Sequence, residues 1–197
     1  MNTSLNSLLQ KSQLRMTFSM GGVICHEGAE ADHIYWVSRG QVALFTHKAG
    51  RSVWLGMSDT QLPIGLEALQ SQRYGLTATA LGDVEVMAVP FGLAKQLFDS
   101  QPLARMQWLQ QLCQHVSRTE TMLFKNANQP PDAILKQLLQ ALVQPEKSTS
   151  KTVSGLQVQL LRPLLGLTEE KLQRLLHQGA EEGWLRQQQD QIYWQAG

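Results

Sequence analysis

Hydrophobic residues in the first half of the chain come in short runs. Val23-Ile24-Cys25, Ile34–Val37, Val42–Phe45, Val53–Leu55, Leu76–Ala80 and Val84–Val89 are apolar or rich in β-branched and aromatic residues, which suit a pleated, half-buried surface. Between them lie His26-Glu27-Gly28, Ser38–Gln41, Ala49-Gly50, Gly56, Pro63-Ile64-Gly65 and Gly82-Asp83. A glycine at such a break takes φ > 0 in a turn without steric cost. Over Gly21–Phe45 the pattern predicts three strands and two tight turns, with Ser38–Gln41 as a hairpin turn and Val42–Phe45 as the returning strand. Strands this short and frequent predict an antiparallel barrel or roll, although any antiparallel meander satisfies the pattern equally well.

At Pro90 the period changes. Phe91–Phe98 reads as a short helix, and Pro102 opens a long one, at a position where its missing N–H costs nothing. Met106, Leu109, Cys113, Val116, Glu120 and Leu123 step by 3 and 4, a heptad seam with one polar position. Such a seam suits either an amphipathic helix packed on its own domain or a parallel two-helix dimer contact. Trp108 and Leu112 flank it and suit packing on the strands. Asn126–Pro131 is a polar hinge whose prolines stop the long helix. Ile134–Val143 predicts a helix with Ile134, Leu135, Leu138, Leu139 and Leu142 inside, and Gln144–Thr152 a polar loop. The first fifteen residues, MNTSLNSLLQKSQLR, read as a short amphipathic helix with Leu5, Leu8 and Leu9 on its apolar face. The resulting division is 1–99, 100–129 and 130–197.

The run Leu156–Leu185 predicts two helices about Gly166. Thr168 is the N-cap of the second, since its hydroxyl can satisfy a free backbone N–H, and Glu169 and Glu170 suit the positive end of a helix. Leu172, Leu175 and Leu176 form its core face; Gly183 ends it, and Arg186–Trp194 follows as a β wing. Pro163 lies inside the first of the two helices, where a proline removes one hydrogen bond; that helix is expected to be short or kinked near Arg162-Pro163.

Composition narrows the function. With 43% hydrophobic and 17% charged residues the chain can build a true core. Net charge is +1, and the halves are balanced too: ten Lys/Arg against nine Asp/Glu in 1–129, seven against seven in 130–197. That balance argues against tight non-specific nucleic-acid binding, which phosphate neutralisation mostly supplies. Two distant cysteines, Cys25 and Cys113, fit a reducing cytoplasm and argue against structural zinc or a cysteine-ligated iron–sulfur cluster. The five histidines show no ligand spacing, so no metal site is expected. No nucleophile–base set or Walker-type glycine loop suggests an enzyme. Neither a membrane-length apolar run nor a signal peptide is expected.

Ile24, Gly28, Ala31, Tyr35, Val37, Gly40 and Val42, then Ala80–Val86 followed by Pro90, resemble the β-roll of the Crp/Fnr family of bacterial transcription regulators. LQVQLLRPLLGLTEEKLQRLLHQGAEEGWL resembles that family's helix-turn-helix without gaps. The resemblance covers about residues 15–195 and rests on structural positions. It implies an α+β fold: an N-terminal antiparallel β-roll of cyclic-nucleotide-binding type, a long dimerisation helix and a C-terminal winged helix-turn-helix. It favours the dimer reading of the seam through Met106, Leu109, Cys113, Val116 and Leu123. At the recognition helix the family pattern resembles Arg-Glu-x-x-x-Arg; here Glu169 replaces the first arginine, while Glu170 and Arg174 keep the other positions. Arg174 can reach guanine or phosphate, Glu170 can accept from cytosine, and Lys171 and His177 suit the backbone. Glu169 would repel phosphate. A solvated helix face is the bland alternative for all of them.

In nucleotide-binding members a Gly-Glu pair, a short helix and Arg-Ser/Thr-Ala hold the ligand. Here Gly65 is followed by Leu66, Glu67 comes one place late, and Arg73 is followed by Tyr74. Counted back from Ala80 without gaps, Tyr74 takes the arginine's place. Gly65, Glu67, Arg73 and Tyr74 thus mark the candidate pocket, but cyclic-nucleotide binding is not expected. Cys25 would serve as a redox input only if exposed and acidic; a buried strand cysteine is the plainer reading. The expectation is a cytoplasmic, homodimeric, non-enzymatic DNA-binding regulator, with operator DNA as partner, no cofactor, no membrane contact and room for an unknown small-molecule effector. The competing expectation is a protein-interaction module on the same fold that has lost operator binding.

Overall fold

The computed structural model describes residues 14–48, 51–58, 63–100, 130–142 and 156–195, with individual residues between 102 and 121. The chain forms two units, residues 1–46 with 55–122 and residues 47–54 with 123–197. Residues 1–13 of the predicted N-terminal helix, the Ala49-Gly50 turn, the hinge residues 126–129 and the loop 144–152 lie outside the described residues, as do Trp108, Leu112 and Leu123.

The apolar runs up to Pro90 form β1 (Leu14–Phe18), β2 (Val23–Cys25), β3 (His33–Arg39), β4 (Val42–Lys48), β5 (Arg51–Ser58), β6 (Thr77–Ala80) and β7 (Val84–Pro90). They make two sheets, of order β1-β7-β3 and β2-β6-β4-β5. Pairing is antiparallel: Ile34 faces Val89 and Val37 faces Val86 in one sheet, and Val42 faces Ala80 and Phe45 faces Thr77 in the other. Ile34, Val42, Ala78, Ala80, Val86 and Ala88 are all fully buried in one core cluster drawn from both sheets. Apolar faces on both sheets therefore close on each other, which removes the most hydrophobic surface from water.

Gly56, expected to break its strand, instead lies inside β5, and two further sequence expectations change here. Ser38–Gln41 is a reversal but not a hairpin, because β3 pairs with β7 and β4 with β6. Gly82-Asp83 likewise carries the chain from one sheet to the other. Turn chemistry decides where a chain reverses; which strands pair depends on how both sheets bury their faces. The second change is at the N-terminus. Leu14 and Arg15, expected at the end of a helix, belong to β1, where Leu14 faces Ala88 and Phe18 faces Val84. Edge pairing on β7 overrides the local helical pattern.

The helices are α1 (Ala68–Ser71), α2 (Phe91–Ser100), α3 (Pro131–Leu142), α4 (Val158–Leu165) and α5 (Glu169–Glu181). The residues described between 102 and 121 are helical as well. Pro131, expected in the hinge, is the first residue of α3, a position for which its fixed φ is suited. In the second unit β8 (Leu156–Gln157), β10 (Gln191–Trp194) and β9 (Leu185–Gln188) form an antiparallel sheet in that order. Leu135, Leu138 and Leu139 of α3 are buried, as are Leu161 and Leu164 of α4, Leu172 and Leu176 of α5 and Ile192 of β10. Ile134 is half-buried.

Candidate functional site

The segment between β5 and β6 carries the four pocket residues. Gly65 packs beneath the Tyr74 ring, so that a Cβ at Gly65 would lie 2.8 Å from Tyr74 Cε1. Tyr74 is buried, and its hydroxyl sits 2.7 Å from Asp32 Oδ1 and 2.8 Å from the His33 carbonyl while accepting the His33 N–H at 3.1 Å. Tyr35 donates to the same Asp32 oxygen at 3.2 Å, and His33 Nδ1 lies 3.3 Å from Asp32 Oδ2. Backbone bonds join the same two segments: Gly28 N–H to Tyr74 O at 2.7 Å, Tyr74 N–H to Ala29 O at 3.0 Å, and Ala31 N–H to Gln72 O at 2.9 Å.

Glu67 and Arg73 do not converge on one ligand. Glu67 accepts the Gly75 N–H at 3.3 Å, and exposed Arg73 donates to the Gly28 carbonyl at 2.7 Å. The one-turn α1 has no side-chain cap. Partial burial raises the pKa of Asp32, but hydrogen bonds from Tyr74 and His33, the His33 charge and Tyr35 outweigh it and leave the carboxyl below its usual range. Burial pushes the Tyr35 phenol up to about 12 and raises that of Tyr74 as well. The phenols are therefore neutral donors that a carboxylate holds in place. Sequence reasoning misses Asp32 and His33 as part of this site; a polar pair just before an apolar strand carries no signal of its own.

Cys25 is buried, and its thiol approaches the Leu76 carbonyl at 3.8 Å. Burial first, then the negative Glu67, pushes this thiol up to about 12. The exposure and acidity that a redox input needs are both lacking. In a Cys113→Ser variant, Cys25 is expected to resist a thiol reagent in the native protein up to pH 9.0, its ordinary pKa, and to react fully once the chain is unfolded. Rapid native modification would contradict the burial. The same shift links to stability: the folded pKa lies above the unfolded one, so the contribution is complete below pH 9.0 and is lost as pH rises towards about 12.

In the second unit, α4 spans eight residues with Pro163 inside it, in line with the expected short helix. Gly166 ends it in the left-handed conformation, its N–H bonded to Arg162 O. Thr168 then caps α5, accepting the Lys171 N–H at 3.4 Å. Leu172, Leu175 and Leu176 are buried, which leaves Glu170, Lys171, Arg174 and His177 exposed on the opposite face. His177 lies 3.8 Å from Glu181 one turn on. Glu169 is not the bare charge that the sequence suggests: Arg162 Nε lies 3.4 Å from its Oε2. In the sequence Arg162 stands out only as the neighbour of Pro163, because a contact between two helices has no fixed spacing along the chain.

On the helical stretch between 102 and 121, Met106, Leu109 and Val116 are 58%, 44% and 52% exposed, with Cys113 exposed beside them. No described helix is long and apolar enough to cross a membrane.

Residues 15–101 match the family model of the cyclic nucleotide-binding domain. No curated protein matches the sequence. Among solved structures, the c-di-GMP responsive global regulator CLP of Xanthomonas campestris is 17% identical, each chain covered over 100% of its length, with a TM-score of 0.70. A Crp/Fnr-family transcriptional regulator of Thermus thermophilus is 21% identical over 93% of this chain and 94% of its own, with a TM-score of 0.66. A third, described as a regulator of the same family from Eubacterium rectale, is 16% identical over 100% of this chain and 91% of its own, with a TM-score of 0.74. Residues 15–101 are thus similar to a cyclic nucleotide-binding domain, and they fold with jelly-roll-like antiparallel sheets and short helices. Taken over its length the chain resembles in fold these Crp/Fnr-family regulators of known structure.

Proposed function

We propose that the chain is a homodimeric, sequence-specific DNA-binding transcriptional regulator whose roll does not take a cyclic nucleotide. The observation that carries this reading is the second unit. Two helices meet at left-handed Gly166, the second is capped by Thr168, and the β9–β10 hairpin follows it. This arrangement supports reading the unit as a winged helix-turn-helix with α5 as recognition helix. Arg174 reads guanine edges or phosphate, Glu170 accepts from cytosine, and Lys171 and His177 meet the backbone.

An apolar stripe of Met106, Leu109 and Val116 left in solvent supports a helix-to-helix dimer, with Cys113 and Leu123 in the same seam. In the roll, Tyr74 is committed to Asp32 and His33, Arg73 to Gly28 and Glu67 to Gly75. Counted back from Ala80 a phenol fills the arginine's place, and the neighbouring Arg73 is bonded to the Gly28 carbonyl, which speaks against a phosphate clamp at this segment. An effector of other chemistry is compatible with the roll. The second reading, a protein-interaction module, draws on the acidic start of α5 at Glu169 and Glu170.

In-vitro selection of duplexes by the full chain separates the two. The expected result is an enriched two-fold symmetric site with half-sites about one helical turn apart, or a multiple of that. Arg174→Ala is expected to weaken that site about tenfold or more, with relaxed preference at one position per half-site. If the native protein enriches no sequence, the regulator reading is lost. A calorimetric titration showing micromolar cyclic AMP binding would overturn the reading of the roll.

A further inference from the structure

The ion pair between α4 and α5 has a consequence for recognition. Glu169 opens α5, where a carboxylate suits the positive end of the helix. The same carboxylate stands near the turn that, in the reading above, faces DNA phosphates, and it would repel them. Both of its oxygens are engaged. Oε2 lies 3.4 Å from Arg162 Nε, and Oε1 accepts from Gln173 Nε2 at 3.0 Å. Arg162 and Glu169 are 56% and 54% exposed, so solvent screens the pair and its worth to folding is small. Its worth to a nearby phosphate is different. The stretch 130–197 has seven Lys/Arg against seven Asp/Glu, and one uncancelled carboxylate at the groove would tip that balance towards repulsion.

We propose that Arg162 is a positioning residue for DNA recognition. It cancels the charge of Glu169 and, with Gln173, holds that carboxylate along the helix pair, so that Lys171 and Arg174 meet DNA without an opposing charge. The arginine absent from the start of α5 is in effect supplied from α4. This inference rests on the reading of α5 as a recognition helix.

The test uses the full chain and the duplex that the native protein selects, with affinity read by fluorescence anisotropy. Arg162→Ala is expected to weaken binding about fivefold at about 50 mM salt, with the deficit shrinking by about 300 mM as screening shortens. Arg162→Lys keeps the charge and is expected to stay within about twofold of native. The double variant Arg162→Ala with Glu169→Gln is expected to regain the affinity of Glu169→Gln alone, because no charge is left to cancel. If the double variant stays as weak as Arg162→Ala, Arg162 touches DNA itself and the proposal fails. An unchanged affinity for Arg162→Ala also overturns it, while the regulator reading stands. A native protein that selects no duplex overturns both.

Discussion

A Gly40→Val chain is expected to lose about 3 kcal/mol of stability, roughly 10 °C in Tm. Gly40 joins β3 to β4 at φ +88, and a Cβ there would lie 2.5 Å from the Asp83 carbonyl oxygen, 3.0 Å from Val84 Cγ2 and 3.1 Å from Val84 Cα. The left-handed conformation alone costs an L-residue about 1–2 kcal/mol, and a β-branched one more. The obstructing atoms are mainly backbone, at the point where β7 begins, so no side chain can rotate to make room. Relief requires β3 to part from β7, the central strand of its sheet. Gly82→Ala is the control, because a Cβ at Gly82 meets nothing within 4 Å. Thermal melts of both variants decide the matter: equal Tm values would refute the packing described for Gly40.

Gly179→Val is expected to destabilise the second unit by about 2–3 kcal/mol through overpacking. Gly179 lies on the buried side of α5, and its added Cβ would stand 2.7 Å from Trp184 Cζ2 and 2.8 Å from Cη2. The indole is not free to swing away. Its Nε1–H donates to Glu182 Oε2 at 2.8 Å, Lys136 Nζ lies 4.6 Å from the ring, and the Trp194 ring is 6.2 Å off. Bonds from Gln178 and Trp184 also hold the Glu182 carboxyl below its usual pKa. Hydrogen exchange should show α5 and the β9–β10 hairpin losing protection together. Combining Gly179→Ala with Trp184→Phe should cost less than the sum of the two single changes, since a smaller ring makes room for the methyl. Strict additivity would mean that the two sites do not touch. Because α5 carries the exposed face proposed to meet DNA, Gly179→Val should also weaken duplex binding without removing any contact residue.

Much of this architecture is legible from sequence, and the reason is local. Runs of β-branched and aromatic residues mark β2, β3, β4, β6 and β7. Leucines spaced by three and four mark α3 and α5, and Gly166-Leu167-Thr168 marks the turn between α4 and α5 with its cap. The candidate DNA-facing residues are legible for the same reason, since the buried leucines of α5 define the exposed face opposite. The roll cassette is only half legible. The misplacement of Glu67 and the arrival of Tyr74 can be counted along the chain, but the partners of Tyr74, Asp32 and His33, come from about forty residues away.

By itself the sequence determined where most strands and helices form, that the chain turns at Gly40, Gly82 and Gly166, and that its pocket lacks the usual phosphate-binding pattern, because each depends on neighbours within a few residues. Only the tertiary structure decided that β3 and β4 lie in different sheets, that residues 14–18 add a strand to β7, that Cys25 is shielded and that Arg162 answers Glu169. Those outcomes depend on which faces close over one core and which distant charges then come within a few ångströms. Burial of apolar surface sets both, and no local pattern encodes either.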